Sequence, residues 1–238
     1  MTLFSFFAME RSRCIIFDMD GTLTATNQLI FDSFNQVAAR YLGRTLTPTE
    51  VIAYFGPPEE GAVRRMIGTD DITEAMQGYY AYYRSEHQRL AVLYPGIREL
   101  LQSLHDRGVM IALFTGKGRR TTDITMEEFG IAHFFAMTVT GDDVESYKPS
   151  GDGIRRILAR FNLRPEDAVM IGDSTSDILA ARECGVTMAS VVWDSYGKEE
   201  VIAMKPDHLF HDVQRLSQWL TSVVSDSGSI ADGLKGVR

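Results

Sequence analysis

The sequence predicts an α/β protein built on a doubly wound, mostly parallel sheet (a Rossmann-like core) with an inserted α-helical unit. Three observations carry this. Short runs of continuous rather than alternating apolar residues recur along the chain, as expected of strands buried on both faces. Segments of helical period separate those runs with short links, as crossovers between parallel strands require. The rhythm breaks once, over residues 24–93, where the patterning is helical throughout. An interval of about seventy residues is too long for a loop and too structured for a linker.

The elements follow in chain order. Cys14-Ile15-Ile16-Phe17 is the first strand. Within the insertion, Leu29, Ile30, Phe34, Val37, Ala38 and Tyr41 recur at helical spacing, and no strand is expected between residues 24 and 93. Gly56-Pro57-Pro58 punctuates its middle, and residues 72–90 read as one long helix. Its tyrosines, Tyr79, Tyr80, Tyr82 and Tyr83, are expected to pack that unit and its edge. Next comes a helix over 95–107, with Ile97, Leu100, Leu101 and Leu104 on one stripe, Pro95 at its start and Gly108 at its stop. Strands over 110–114, 136–139, 168–171 and 189–193 alternate with helices over 119–129, 154–161 and 176–184. Gly130 and Gly185 stop the first and last of these helices. The predicted division is a sheet unit of residues 1–23 and 94–221, a helical unit of 24–93, and a flexible tail of 222–238 rich in Ser and Gly.

Composition narrows the function. The 238 residues are 45% hydrophobic and 24% charged, which excludes a dominantly disordered chain. A net charge of −8 argues against a general nucleic-acid binder, which needs a basic face to displace counterions. A small anionic substrate needs only a few local cations, so it stays open. No stretch approaches the ~20 apolar residues of a membrane span. The apolar start, Met1 to Ala8, lacks a basic region before it, so no signal peptide is expected, and Met9 offers an alternative start. A cytoplasmic protein, monomer or homodimer, is the expectation. Cys14 and Cys184 form no metal pattern and read as reduced thiols. His208 and His211 have no acidic or Cys partners at a metal spacing.

Chemistry gathers at the ends of the predicted strands. The first ends in Asp18-Met19-Asp20-Gly21-Thr22. Thr115-Gly116-Lys117 follows the second, Lys148-Pro149 the third, and Gly172-Asp173-Ser174-Thr175-Ser176-Asp177 the fourth. In an open α/β sheet the carboxyl ends of strands near the topological switch form one crevice. Asp18, Asp20, Asp173 and Asp177 would then repel by about 4 kcal/mol per pair at ~4 Å and an effective dielectric of ~20. Such a cluster calls for a cation, and oxygen donors without His or Cys suit a hard ion such as Mg²⁺. Lys148 adds positive charge and Thr115 a hydroxyl, a set suited to phosphoryl transfer.

These four motifs, in this order, resemble those of the haloacid dehalogenase superfamily, and the inserted helices resemble its type 1 cap. Phe55-Gly56-Pro57-Pro58-Glu59-Glu60, Tyr94-Pro95-Gly96 and Asp142-Asp143-Val144-Glu145 resemble its phosphoglycolate phosphatase and pyrophosphatase group. The resemblance implies Asp18 as nucleophile and Asp20 as general acid and base whose main-chain carbonyl also binds Mg²⁺. It implies that Thr115 bonds the phosphoryl group, with Gly116 beside it, and that Lys148 neutralises that group. Asp18 and Asp173 would bind the metal, with Asp177 behind them. It further implies a small phosphorylated metabolite as substrate, phosphoglycolate-like; the alternatives are inorganic pyrophosphate, or a β-phosphoglucomutase-like transfer to a sugar. Gly116 stands where this group often has Asn, and Ser150-Gly151 follows Lys148-Pro149 instead of a second proline. Asp20 separates the chain from the dehalogenase and phosphonatase branches, which lack an acid there. In the insertion, Arg64 and Arg65 could reach a second anionic group of the substrate, although adjacent arginines more often form a solvated face. Lys117, Arg119 and Arg120 begin a helix beside Thr115 and could supply a phosphate contact.

Overall fold

A computed structural model describes residues 13–195 and 197–224. Its main sheet is parallel and six-stranded. In chain order the strands are β1 (Cys14–Phe17), then β4 (Met110–Phe114), β5 (Met137–Val139), β6 (Ala168–Gly172), β7 (Thr187–Val191) and β8 (His208–Phe210), while β2 (Thr24–Ala25) and β3 (Val92–Leu93) pair separately. The sheet order is β5-β4-β1-β6-β7-β8. The chain therefore leaves β1 to one side for β4 and to the other for β6, which makes the carboxyl end of β1 the topological switch.

Continuous apolarity in β1 reflects burial on both faces. Ile15 and Phe17 join a core with α5 (Ile97–Asp106) and α10 (Val213–Val223), whereas Cys14 and Ile16 join one with α7 (Asp152–Phe161) and α8 (Thr175–Cys184). In α5 the stripe Ile97, Leu100, Leu101 and Leu104 is buried, worth roughly 1.5–3 kcal/mol per side chain relative to exposure. Cys184 is only half-buried.

Between β2 and β3 lie α1 (Asn27–Leu42), α2 (Pro48–Ile52), α3 (Glu59–Ile67) and α4 (Thr73–Leu90). They share a core that includes Leu29, Phe34, Val51, Val63, Tyr79 and Tyr83. Ile124 of α6 (Arg119–Glu128), a helix of the sheet unit, belongs to that core too. Thr47 and Glu50 start α2 with a reciprocal capping box.

Several expectations change. The interval expected to lack strands contributes β2 and β3, which pair antiparallel as Thr24 with Leu93 and Ala25 with Val92. Two residues are too few for a periodic signal, and only pairing across the base of the insertion makes them strands. β7 starts at Thr187, opposite Val169, and ends at Val191, so Trp193 lies beyond it. The helix expected from Pro95 begins at Ile97, because Gly96 turns the chain at φ +89°. The helix α10 continues to Val223, past the expected start of the tail; residues 225–238 of that tail lie outside the described residues.

Candidate active site

The parallel register brings the ends of β1 and β6 together. Asp18 follows β1, with its N–H donating to the Ile171 carbonyl of β6 (2.8 Å). Asp173 follows β6, and Asp177 sits in the first turn of α8. One carboxylate oxygen from each of Asp18, Asp173 and Asp177 lies within 4.8 Å of the others. Lys148 Nζ bridges two of them, donating to Asp18 Oδ1 (2.8 Å) and Asp177 Oδ1 (2.6 Å). The second Asp177 oxygen accepts from Ser174 Oγ (2.6 Å) and Ser174 N–H (3.1 Å), so the cap of α8 also fixes this acid. Thr22 Oγ1 donates to Asp173 Oδ1 (3.2 Å). Gly21 is required here: its φ is +82°, and a Cβ would stand 2.4 Å from Asp173 Oδ2.

Burial sets the electrostatics. It pushes the Asp18 carboxyl up to about 7; Lys148 pulls the other way, and the charges of Asp177 and Asp20 add to the rise. Burial, then the carboxylates of Asp18 and Asp177, hold Asp173 well above the usual range. For Lys148 burial works against the charge, but Asp177 and Asp18 outweigh it and raise its pKa. Three acids short of positive charge, offering only oxygen, fit a hard divalent cation such as Mg²⁺.

Asp20 points to different partners. Its carboxylate accepts from Thr26 Oγ1 and from Lys117 Nζ (3.2 and 3.3 Å). The Lys117 side chain is 2% exposed, lies 4.8 Å from the Tyr83 ring centre, and pairs with Glu59 Oε1 at 3.9 Å. Burial opposes its charge, yet Asp20, Tyr83 and Glu59 together raise its pKa. Glu59, the first residue of α3, accepts from Gly118 N–H (2.7 Å) and Thr121 Oγ1 (2.5 Å). A side chain of the insertion is thereby bonded to the loop and helix that follow β4. Lys117 was one of three cations expected beside Thr115; Arg119 instead pairs with Asp143, and Arg120 lies over the Tyr80 ring. In the sequence Glu59 stood out only within the Phe55–Glu60 segment that resembles the phosphatase group, with no signal that its carboxylate would be buried.

Asp18, Asp20, Thr115, Gly116, Lys117, Lys148 and Asp173 line one cavity of about 380 Å³ between the sheet edge and the insertion. Thr115 is placed by its N–H bond to the Val139 carbonyl (3.0 Å). Arg64 is not part of this cavity: its half-exposed side chain pairs with Asp70 at 3.7 Å. Arg65 is turned to the Tyr54 carbonyl. The residues of α3 that line the cavity are Glu59 and Ala62. The described residues contain no helix long and apolar enough to cross a membrane.

The chain is similar to known proteins. A pyrophosphatase named PpaX from Anoxybacillus flavithermus is 32% identical over 202 residues, covering 85% of this chain and 94% of its own. The crystal structure of a predicted phosphoglycolate phosphatase from Haemophilus somnus superposes with a TM-score of 0.78 at 23% identity, over 87% of this chain and 97% of that one. A haloacid dehalogenase-like family hydrolase from Streptococcus pneumoniae does so with a TM-score of 0.68 at 28% identity, over 87% and 98%. Residues 15–191, from β1 to the end of β7, match the family model of the haloacid dehalogenase-like hydrolases, and the chain belongs to that family.

Proposed function

We propose that the chain is a Mg²⁺-dependent phosphatase acting on a small phosphorylated metabolite through an aspartyl-phosphate intermediate. The observation that carries this reading is the buried Asp18, bridged by Lys148 to Asp177, beside Asp173, and open to a cavity under the insertion. Asp18, Asp173 and Asp177 would hold the cation, with the Asp20 carbonyl that the family resemblance adds. A bound Mg²⁺ supplies positive charge to the phosphoryl oxygens.

Asp18 attacks phosphorus through a carboxylate oxygen, and the bond to the leaving oxygen breaks. Asp20, lining the same cavity, gives that oxygen a proton. Asp20 then takes a proton from water as the water attacks the aspartyl-phosphate, releasing phosphate and free Asp18. Lys148 holds Asp18 in place and balances charge, and the Thr115 hydroxyl orients the phosphoryl group. The helical insertion serves as a cap that limits water.

Asp18→Asn tests this. Phosphate release from p-nitrophenyl phosphate should fall by more than about 10³-fold while circular dichroism stays unchanged. Full activity in that variant overturns the reading. Phosphoglycolate, expected from the sequence, and pyrophosphate, named for the relatives, are natural first substrates; both carry a second anionic group. A mutase shares the first half-reaction and is distinguished by isomer formation from glucose phosphates without phosphate release.

A further inference from the structure

We propose that the leaving group of the natural substrate is uncharged and largely apolar, an alkyl or aryl alcohol rather than a carboxylate or a second phosphate. The inference rests on the phosphatase reading and concerns the wall that the insertion contributes to the cavity. Ile30, Phe34, Ile52, Phe55, Pro57 and Ala62 make that wall mostly apolar, with Asn27 and Glu59 as its polar members. Phe55 and Ile52 are 42% and 37% exposed, among the few large apolar side chains left open to solvent, and both line this cavity. An apolar leaving group would cover them, and removing such surface from water is favourable.

Charge points the same way. Lys117 and Lys148 are the only Lys or Arg residues lining the cavity among the described residues, and both are already committed. Lys148 is held by Asp18 and Asp177, and Lys117 by Asp20 and Glu59. Arg64 and Arg65, the insertion's candidates for a second anion, are turned to Asp70 and Tyr54. A remote carboxylate or phosphate would therefore lose water without gaining a cation, and would face the Glu59 carboxylate. In the reaction the ester P–O bond breaks, its electron pair leaves with the alcohol oxygen, and Asp20 supplies the proton. The neutral alcohol departs while the phosphoryl group passes to Asp18 and then to water.

The test compares n-butyl phosphate with 4-phosphonooxybutanoate, an ester of the same chain length ending in a carboxylate. Pyrophosphate is assayed alongside, and acetyl phosphate serves as a reactive substrate without a remote anion. With Mg²⁺ present, kcat/KM should favour n-butyl phosphate by at least about tenfold over both the carboxylated ester and pyrophosphate. Phe55→Lys, at a half-open position, should narrow that ratio by about tenfold by placing a cation on the wall. Equal or greater kcat/KM for the carboxylated ester or pyrophosphate overturns the inference while leaving the phosphatase reading intact. An unchanged ratio in Phe55→Lys also overturns it, because the wall would then not meet the leaving group. Failure to release phosphate from any of the four, acetyl phosphate included, overturns the phosphatase reading and the inference with it.

Discussion

At Lys148 one buried ammonium meets two buried carboxylates, at 2.8 Å from Asp18 and 2.6 Å from Asp177. Substituting it leaves two acids facing each other with no cation of the chain between them. Breaking a buried pair by deleting one partner costs about 3–5 kcal/mol, because the survivor stays desolvated. Lys148→Met should therefore melt clearly below the parent in metal-free buffer and lose at least about 100-fold in hydrolysis. Adding Mg²⁺ should restore part of the melting temperature but not the rate; differential scanning calorimetry and phosphate release read the two effects. The residue types at this site were legible. Acids after strands, a Lys-Pro and a Gly beside the first acids carry chemical information by identity. The partners of Asp20 were not, since Thr26 and Lys117 reach it from six and ninety-seven positions away.

Elements are joined at Glu59. It opens α3 in the insertion, yet its carboxylate accepts from Gly118 and Thr121, which belong to the sheet unit. Glu59→Ala strands the buried Gly118 N–H, leaves the Thr121 hydroxyl only its 3.2 Å bond to the Gly118 carbonyl, and leaves Lys117 paired with Asp20 alone. Leaving such donors unsatisfied costs roughly 1–3 kcal/mol, and each kcal/mol lowers Tm by about 2–4 °C in a chain of this size. The variant should melt several degrees lower and lose kcat/KM toward p-nitrophenyl phosphate, with Glu59→Gln recovering part of both. A variant indistinguishable from the parent in both measurements would show that this contact fixes nothing. Helices with a clear stripe, such as α5, were readable because 3.6-residue periodicity survives in one dimension. The β2–β3 pair was not, because its two short pieces acquire a partner only when the insertion folds back.

Over the whole molecule, stability is linked to protons, and a cation bound at Asp18 would compete with them. Asp18 moves from an ordinary 3.8 to about 7 on folding, so the folded chain keeps this proton when the unfolded chain has lost it. The stabilisation is complete below the lower value and disappears as pH rises through the higher one. The metal-free protein should accordingly lose stability between about pH 4 and 7 from this group. A cation held by the same carboxylates reverses that loss, so the rise in Tm on adding Mg²⁺ should grow from about pH 5 to pH 8. In Asp18→Asn that growth should be smaller. A Mg²⁺ shift independent of pH in the parent would contradict this assignment of the proton.

The sequence by itself determined the α/β class and the acids placed after the strands, because apolar period and residue identity are local properties. Which acids face one another, that Lys117 turns to Asp20 and Arg64 turns away, and that an apolar wall stands over the site were decided only by tertiary structure. Direction and burial of a side chain depend on elements far off in the chain, and a linear pattern holds no record of them.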